Sequence, residues 1–393
     1  MTVYTIIGNG VAGTTAAQEI RRIDDASPIM VLTEEDLPFY YRIRLPEVVA
    51  GDVDEVALVA HEEDWYWDHG IDLYLNSKVT QADPSQQLLW TEDGREFPYD
   101  RLLLANGSHS FVPPIEGSDL SGVFTLRSIQ DARNIKAWAE SCRQTTLIGG
   151  GLLGLEAGNG LRKLGKQVNV VEFFPRLLPR QLDVAGAARL QSMLEDMGFR
   201  FYLGAKTKAF SGPSQVGEVH LEDGQNLDTE MVMISAGVRP NLDLGRQLGV
   251  DVDKGILVDE HLQTSLPSVF AAGDAAECRG RLYGIWPAAM EQGRMAGRNM
   301  TGNKDAYRGT VMANTLKVVG IDLASAGEID AEDELDSRVR NTDETYRKVV
   351  LDDGRIVGCI MLGDTAGFQR VTRMMKDGAE VSSKQVEDIL AGA

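Results

Sequence analysis

The sequence predicts an α/β protein: two doubly wound, mostly parallel sheets followed by a small α+β domain. Three observations lead there. A glycine turn between an apolar strand and a helix occurs twice, at Gly8-Asn9-Gly10-Val11-Ala12-Gly13 and at Gly149-Gly150-Gly151-Leu152-Leu153-Gly154, with first glycines 141 residues apart. Each turn is followed by a second strand that ends at an acid, Glu34-Glu35 in one copy and Glu172 in the other. Each copy also closes on an apolar strand running into a glycine, Arg101 to Gly107 and Met231 to Gly237. A lone glycine motif is weak, but set between strand and helix with a terminal acid it is a Rossmann-like dinucleotide-binding fingerprint. Its recurrence argues for two nucleotide domains that arose by duplication.

Val3 to Ile7 is a β-branched run expected as a buried strand. Thr14 to Ile23 reads as the helix after the turn, and Ile29 to Leu32 as the second strand. In the repeat, Thr145 to Ile148, Leu155 to Leu164 and Val168 to Val171 take the same roles. Val112-Pro113-Pro114-Ile115 and Arg239-Pro240-Asn241 read as linkers between domains. Val269 to Ala272 is a short strand that delivers Asp274 beside Gly273. Pro287 suits the first turn of a helix, so one is expected to start at Trp286-Pro287 and run to Met300. From about Thr310, three strand-like runs (316–319, 348–351 and 358–363) and a helix near 367–376 predict the α+β tail. The boundaries expected are 1–110 with 240–310, 111–239, and 311–393.

At 393 residues the chain suits two or three domains. Hydrophobic residues at 43% and charged residues at 25% are a globular balance. The formal charge of −20 disfavours nucleic acid or an anionic membrane as a main partner, because phosphate binding rests on clustered Lys and Arg. No apolar stretch reaches membrane-spanning length. The apolar strand at Val3 leaves no room for a signal peptide, so a soluble cytoplasmic protein is expected. Cys142, Cys278 and Cys359 are far apart, with no CxxC pair, which predicts no redox dithiol and no metal site. The 41 glycines exceed the usual share, and two phosphate-binding turns account for part of the excess.

The order of these signals resembles the FAD-dependent pyridine nucleotide reductases, the flavoproteins with two dinucleotide sites, across essentially the whole chain. The resemblance rests on Ile7 to Gly13, Ala105-Asn106-Gly107, Ile148 to Glu156 and Thr264 to Asp274. Asn106 departs from the Thr usual in that turn. Within the family, Leu37 to Leu45, Glu63-Asp64-Trp65-Tyr66, Arg180 to Asp183 and Leu316 to Ile321 look closest to NADH:rubredoxin oxidoreductases. The flavin modules of nitrite reductases and the putidaredoxin-type ferredoxin reductases are similar there. The resemblance implies an FAD domain, a NADH domain inserted into it, and a C-terminal interface domain.

Gly8, Gly10 and Gly13 are expected to bring a helix N-terminus to the FAD pyrophosphate, where free N–H groups and the helix dipole meet negative charge. Glu34 or Glu35 is expected on the adenosine ribose, and Gly107 and Val79 are counted among the FAD-binding residues. By the resemblance, Arg42 contacts FAD, Asp274 binds the ribityl chain, and the helix opening at Trp286 aims its dipole at the flavin N1–C2 region. Gly149, Gly151 and Gly154 repeat the phosphate role for the nicotinamide cofactor, with Gly237 at the matching sheet-edge turn. Glu172 favours NADH over NADPH by accepting both ribose hydroxyls, while Arg176 nearby leaves a 2′-phosphate open. In the family the residue at Glu156 faces the flavin and pairs with a Lys whose position here holds Glu47. Arg44 is the candidate to replace that Lys, so Arg44 and Glu156 are the expected catalytic residues.

Disulfide reductases of this architecture carry cysteine in the stretch that here reads Leu37 to Pro46, which has none. Electrons would therefore leave the flavin directly: hydride from NADH to FAD, then single electrons to a small redox protein, rubredoxin first. Because the chain is acidic, an acidic carrier would need a local basic patch, and Arg370, Arg373 and Lys376 at helical spacing are the candidate. Two alternatives stay open. One is an NADH oxidase or a flavin module feeding oxygen or nitrite-reductase-type centres. The other is a redox-sensing NADH-binding flavoprotein similar to apoptosis-inducing factor.

Overall fold

A computed structural model describes residues 1–310, 313–332, 334–342 and 344–392, with side chains described outside 311–318. The chain divides into two units. One comprises Met1–Arg44, Asp54–Ser110 and Val238–Thr310; the other comprises Leu45–Val53, Phe111–Gly237 and Val311–Ala393.

In the first unit, Tyr4–Ile7 lies between Ile29–Leu32 and Arg101–Leu104, with Ile71–Tyr74 and Val269–Ala271 at the two edges of a five-stranded sheet. All its pairings are parallel, so both faces must be covered. Alternate residues supply the two layers. Ile6, Val31, Leu103 and Phe270 face the helices Val11–Ile23 and Trp286–Met300. Ile7, Leu32, Leu102 and Leu104 face a core shared with Val79, Leu89 and Phe97.

The two helices cross closely. A Cβ on Gly293 would lie 2.3 Å from Ala12 O, and one on Gly297 2.7 Å from Ala16 O. Only glycine fits at that crossing, and the four-residue spacing of the two glycines is the sequence signal that marks it.

The second unit repeats the plan. Gln144–Ile148 pairs in parallel with Gln167–Glu172 and Met231–Ile234, flanked by Phe199–Leu203 and Val123–Thr125. The helix Leu152–Lys163 follows the glycine turn. In each unit a three-stranded antiparallel meander that sequence reading overlooked precedes the closing strand of the sheet: Val79–Asp83, Leu88–Thr91, Glu96–Pro98 before Arg101–Leu104 and Thr207–Ser211, Glu218–Leu221, Asn226–Asp228 before Met231–Ile234. A legible trace remains, since Glu92-Asp93-Gly94 and Glu222-Asp223-Gly224 form the same turn with both glycines at positive φ.

Several expectations are adjusted. Both post-turn helices start three residues earlier than predicted, at Val11 and Leu152, immediately after their middle glycines. The supposed linker at Arg239 is strand: Val238–Pro240 pairs antiparallel with Ser108–Ser110. The two segments thereby satisfy each other's backbone groups. Asn106 finds its use here, donating to Asn241 O at 3.2 Å while Asn241 Nδ2 donates back to Asn106 O at 2.6 Å.

The tail is a five-stranded antiparallel sheet rather than three runs, because Ile321–Gly327 and Asp336–Asn341 join Ala313–Val318, Tyr346–Asp352 and Arg355–Leu362. Asp336–Asn341 is an exposed edge strand with little hydrophobic signal. The helices Phe368–Asp377 and Ser383–Ala391 cover one face through Phe368, Val371, Val386 and Ile389. The side chains of the Leu316-Lys317-Val318 motif lie outside the described residues. No helix among the described residues is long and apolar enough to cross a membrane.

Candidate dinucleotide sites

The first glycine turn divides its labour. Gly8 sits at φ +106°, and a Cβ there would lie 2.2 Å from Ala105 O; a Cβ on Gly13 would lie 1.9 Å from Gly8 O. These two glycines permit close packing of turn, helix and neighbouring strand. Gly10 differs. It is the N-cap of Val11–Ile23, makes no side-chain cap and has open space where a Cβ would project. The first helical turn carries no acid of its own. Free N–H groups, an uncompensated dipole and room beside them fit a dinucleotide phosphate.

The second turn has the same geometry. Gly149 lies at φ +108° with its would-be Cβ 2.3 Å from Ser235 O; Gly154 faces Ser235 and Gly149 O; Gly151 is an uncapped N-cap with nothing closer than Ser235 O at 4.0 Å. Gly107 and Gly237 both hold positive φ, at +64° and +92°, at the ends of their closing strands.

The acids separate the two turns. Gly8 N donates to Leu32 O and Gly149 N to Val171 O, both at 2.8 Å, so the strands superpose with Thr33 in the place of Glu172. Glu172 is buried, and its carboxylate accepts from Gly150 N at 2.6 Å and from Phe174 N at 2.8 Å. A carboxylate has about four acceptor directions. Two remain after the backbone contacts. In the first unit Glu35 is the embedded acid, accepting from Tyr40 and Arg42, whereas Glu34 is exposed with Lys78 Nζ 3.9 Å away. Sequence alone left these two unresolved; burial distinguishes them.

Arg42 also lies in the field of Asp274. Burial opposes its charge, but the fields of Tyr40, Glu35, Glu34 and Asp274 outweigh this and hold the guanidinium above its ordinary range. Asp274 accepts from Ser108 Oγ at 2.8 Å, and Gly273 N donates to the buried Gln292 Oε1 at 2.8 Å, tying this turn to the Trp286–Met300 helix. That helix starts with Trp286, stacked on Tyr41 at 5.6 Å, with no acid in its first turn. The structure thus gathers Arg42, Glu35 and Asp274. Val79's side chain is buried in the core, which leaves only its main chain to face a ligand. Arg44 donates to Ala57 O at 3.2 Å.

Sequence reading missed three residues here: Asn9, Tyr66 and Gln292. Tyr66 is fully buried, its hydroxyl donating to Asn9 Oδ1 at 3.0 Å. Burial raises its phenol above the usual range, against the opposing hydrogen bonds, so it stays a donor. The signal was present in Gln292, a polar residue in an Ala- and Gly-rich helix.

Within the second unit, Glu156 lies on Leu152–Lys163 and accepts from Val319 N at 2.9 Å. The short helix Leu45–Ala50 packs at Gly160, whose would-be Cβ lies 3.1 Å from Ala50 Cβ. This brings Glu47 into the field of Glu156. Burial foremost, with Glu47 adding, raises the Glu156 carboxyl above its ordinary 4.5, against Val319 N–H and Lys163. Protonation therefore favours the folded form. The stabilisation is present below that ordinary value and lost as pH rises through the folded one. Glu156→Gln keeps an acceptor for Val319 and removes the charge. Its melting temperature is expected to equal or exceed the wild type at pH 8 and to converge with it near pH ~4; a lower value at pH 8 would contradict this account.

Cys142, Cys278 and Cys359 are buried and free. Among the described residues no cluster of His, Cys, Asp and Glu could hold a metal ion.

Residues 2–293 match the pyridine nucleotide-disulphide oxidoreductase family, and residues 313–379 match the rubredoxin NAD+ reductase C-terminal domain. The chain is 36% identical over 390 residues to a nitrite reductase [NAD(P)H] of Bacillus subtilis, covering 98% of this chain and 48% of that protein. The chain thus spans about half the length of such relatives. It is 30% identical to the NADH-rubredoxin oxidoreductase of Clostridium acetobutylicum, over 93% of this chain and 92% of that one. The crystal structure of NADH:rubredoxin oxidoreductase from the same organism superposes with a TM-score of 0.82 at 26% identity, covering both chains completely. Two glycine turns of one geometry, a matching tail and these relatives together establish that the chain belongs to the pyridine nucleotide-disulphide oxidoreductase family.

Proposed function

We propose that the chain is an FAD-dependent NADH oxidoreductase that delivers electrons to a small one-electron carrier, rubredoxin being the first candidate. The observation that carries it is the pair of uncapped helix N-termini behind glycine turns, one in each unit. Bound FAD would supply the conversion between two-electron hydride chemistry and one-electron release.

The chain's own residues bind and orient. Gly10 and the N–H groups after it receive one pyrophosphate, and Arg42 and Asp274 position the rest of the FAD. Gly151 receives the nicotinamide dinucleotide, and Glu172 meets its adenosine ribose. The Trp286–Met300 helix, whose first turn carries no acid, would set an uncompensated positive end beside the flavin, and Arg44 and Glu156 are each candidates to serve hydride transfer. No cysteine occupies residues 37–46, so electrons would leave without a thiol relay. Arg370, Arg373 and Lys376 are exposed on Phe368–Asp377, where they offer positive charge to an acidic carrier.

The half-length match to nitrite reductases favours a second reading, in which the chain is the NADH-oxidising module for a reductase centre. Anaerobic stopped-flow mixing separates the two. Wild-type protein reduced by NADH is expected to reoxidise faster with rubredoxin than with ferredoxin or oxygen. Equal, slow reoxidation by all three would sink the rubredoxin reading.

The cofactor preference has its own test. Glu172→Ala removes the ribose acceptor and frees Gly150 N and Phe174 N. The ratio of kcat/KM for NADH over NADPH is expected to fall by about tenfold or more, as loss of one charged hydrogen-bond partner implies. An unchanged ratio would place the discrimination elsewhere.

A further inference from the structure

The second residues of the two glycine turns differ: Asn9 in the first, Gly150 in the second. Asn9 is only 7% exposed. Its Oδ1 accepts from Thr14 Oγ1 and from Tyr66 OH, each at 3.0 Å. A chain of donors fixes which way the amide points. Phe39 N donates to the Tyr66 hydroxyl oxygen at 3.3 Å. A main-chain N–H can only donate, which leaves the hydroxyl proton for another acceptor; Thr14 also lies in hydrogen-bond reach of the hydroxyl, and the proton is directed at Asn9 Oδ1. Reversing the amide would set a donor against that proton. The Nδ2 group therefore points away from Thr14 and Tyr66. It is buried with no hydrogen-bond partner among the described residues, and buried donors are rarely left so.

An independent feature lies beside it. Gly10, the next residue, is the uncapped N-cap of a 13-residue helix and borders open space. We propose that Asn9 Nδ2 is a ligand-binding donor, bonding to a phosphate-borne oxygen of the dinucleotide held at the first turn. The second turn has no such group. Gly150 lacks a side chain, and its main-chain N–H is already taken by Glu172 at 2.6 Å. The first turn thus offers one more donor, which makes it the retentive site that keeps a resident dinucleotide while the second exchanges its own. This rests on the reading that the first turn holds FAD.

Asn9→Asp is the test, because it keeps Oδ1 for Thr14 and Tyr66 and replaces only the NH2 end by oxygen. FAD retention by the full holoprotein is followed by flavin fluorescence on serial dilution. The variant is expected to hold FAD about 10- to 100-fold more weakly at pH 8, the range for losing a hydrogen bond to a charged group. Relative to wild type it should recover as pH falls, since a protonated Asp is again a donor, and NADH affinity should stay unchanged. Tyr66→Phe frees the amide to reverse and is expected to weaken retention severalfold. Retention equal to wild type in Asn9→Asp, or an equal deficit at pH 8 and pH ~5, overturns the proposal. A wild-type chain that holds no FAD overturns the underlying reading, and this inference with it.

Discussion

Lys348→Met is expected to destabilise the second unit by about 3–5 kcal/mol, the usual result of removing one partner from a buried ion pair. Lys348 is fully buried, and its ammonium donates to Asp330 O at 2.7 Å and lies 3.1 Å from Asp183 Oδ2 and 3.6 Å from Asp330 Oδ2. Asp183 caps the helix Val184–Asp196 through Gly186 N and also accepts from Tyr346 OH. One cation therefore joins the tail sheet to the nucleotide half of this unit. Removing it would leave two buried carboxylates without their counter-charge. Although burial opposes it, hydrogen bonds from Ser337, Leu335 and Glu334, with Lys348, hold the Asp330 carboxyl below its ordinary value. That contribution is present above the unfolded value of 3.8 and lost as pH falls through the folded one. The deficit of Lys348→Met should accordingly shrink toward acid pH. Urea denaturation followed by tryptophan fluorescence reads it, and an unchanged midpoint at pH 7 would refute the assignment. Tyr346→Phe, which loses one hydrogen bond, is expected to cost only about 1 kcal/mol.

Gly13→Ala and Gly154→Ala form the second prediction: the same substitution at equivalent places with unequal outcomes. At Gly13 the new Cβ would sit 1.9 Å from Gly8 O, a main-chain atom that the turn holds in place. At Gly154 the nearest atoms are Ser235 Cβ at 2.9 Å and Gly149 O at 3.0 Å, a much smaller intrusion. Overpacking costs about 1–3 kcal/mol, and Gly13 falls at the upper end. Gly13→Ala is expected to purify without flavin, whereas Gly154→Ala keeps its flavin and binds NADH about tenfold more weakly, near 1.4 kcal/mol. Full flavin occupancy in Gly13→Ala would show that the turn relaxes freely.

Much of the fold was legible because its signals are local. A parallel strand buried on both faces needs an apolar run, and Tyr4–Ile7 and Gln144–Ile148 supply it. A phosphate turn needs glycines at set spacing. The meanders were overlooked because their short, partly exposed strands have weak periodicity, and the Asp336–Asn341 edge strand has almost none. The segment at Arg239 resembled a linker because a proline beside asparagine signals a turn; its pairing with Ser108–Ser110 depends on a partner about 130 residues away.

The duplicated α/β plan, the two glycine turns and the candidate acids are encoded by spacing along the chain, which is why they can be read from it directly. Folding settles which glycines pack and which face open space, that Glu35 rather than Glu34 is embedded, and that Thr33 stands where Glu172 stands in the repeat. Folding likewise sets the Asn9 amide against Tyr66 and lets Lys348 hold two distant aspartates. These are properties of contact between residues far apart in the chain, where burial and the direction of a donor exist only once the backbone has folded.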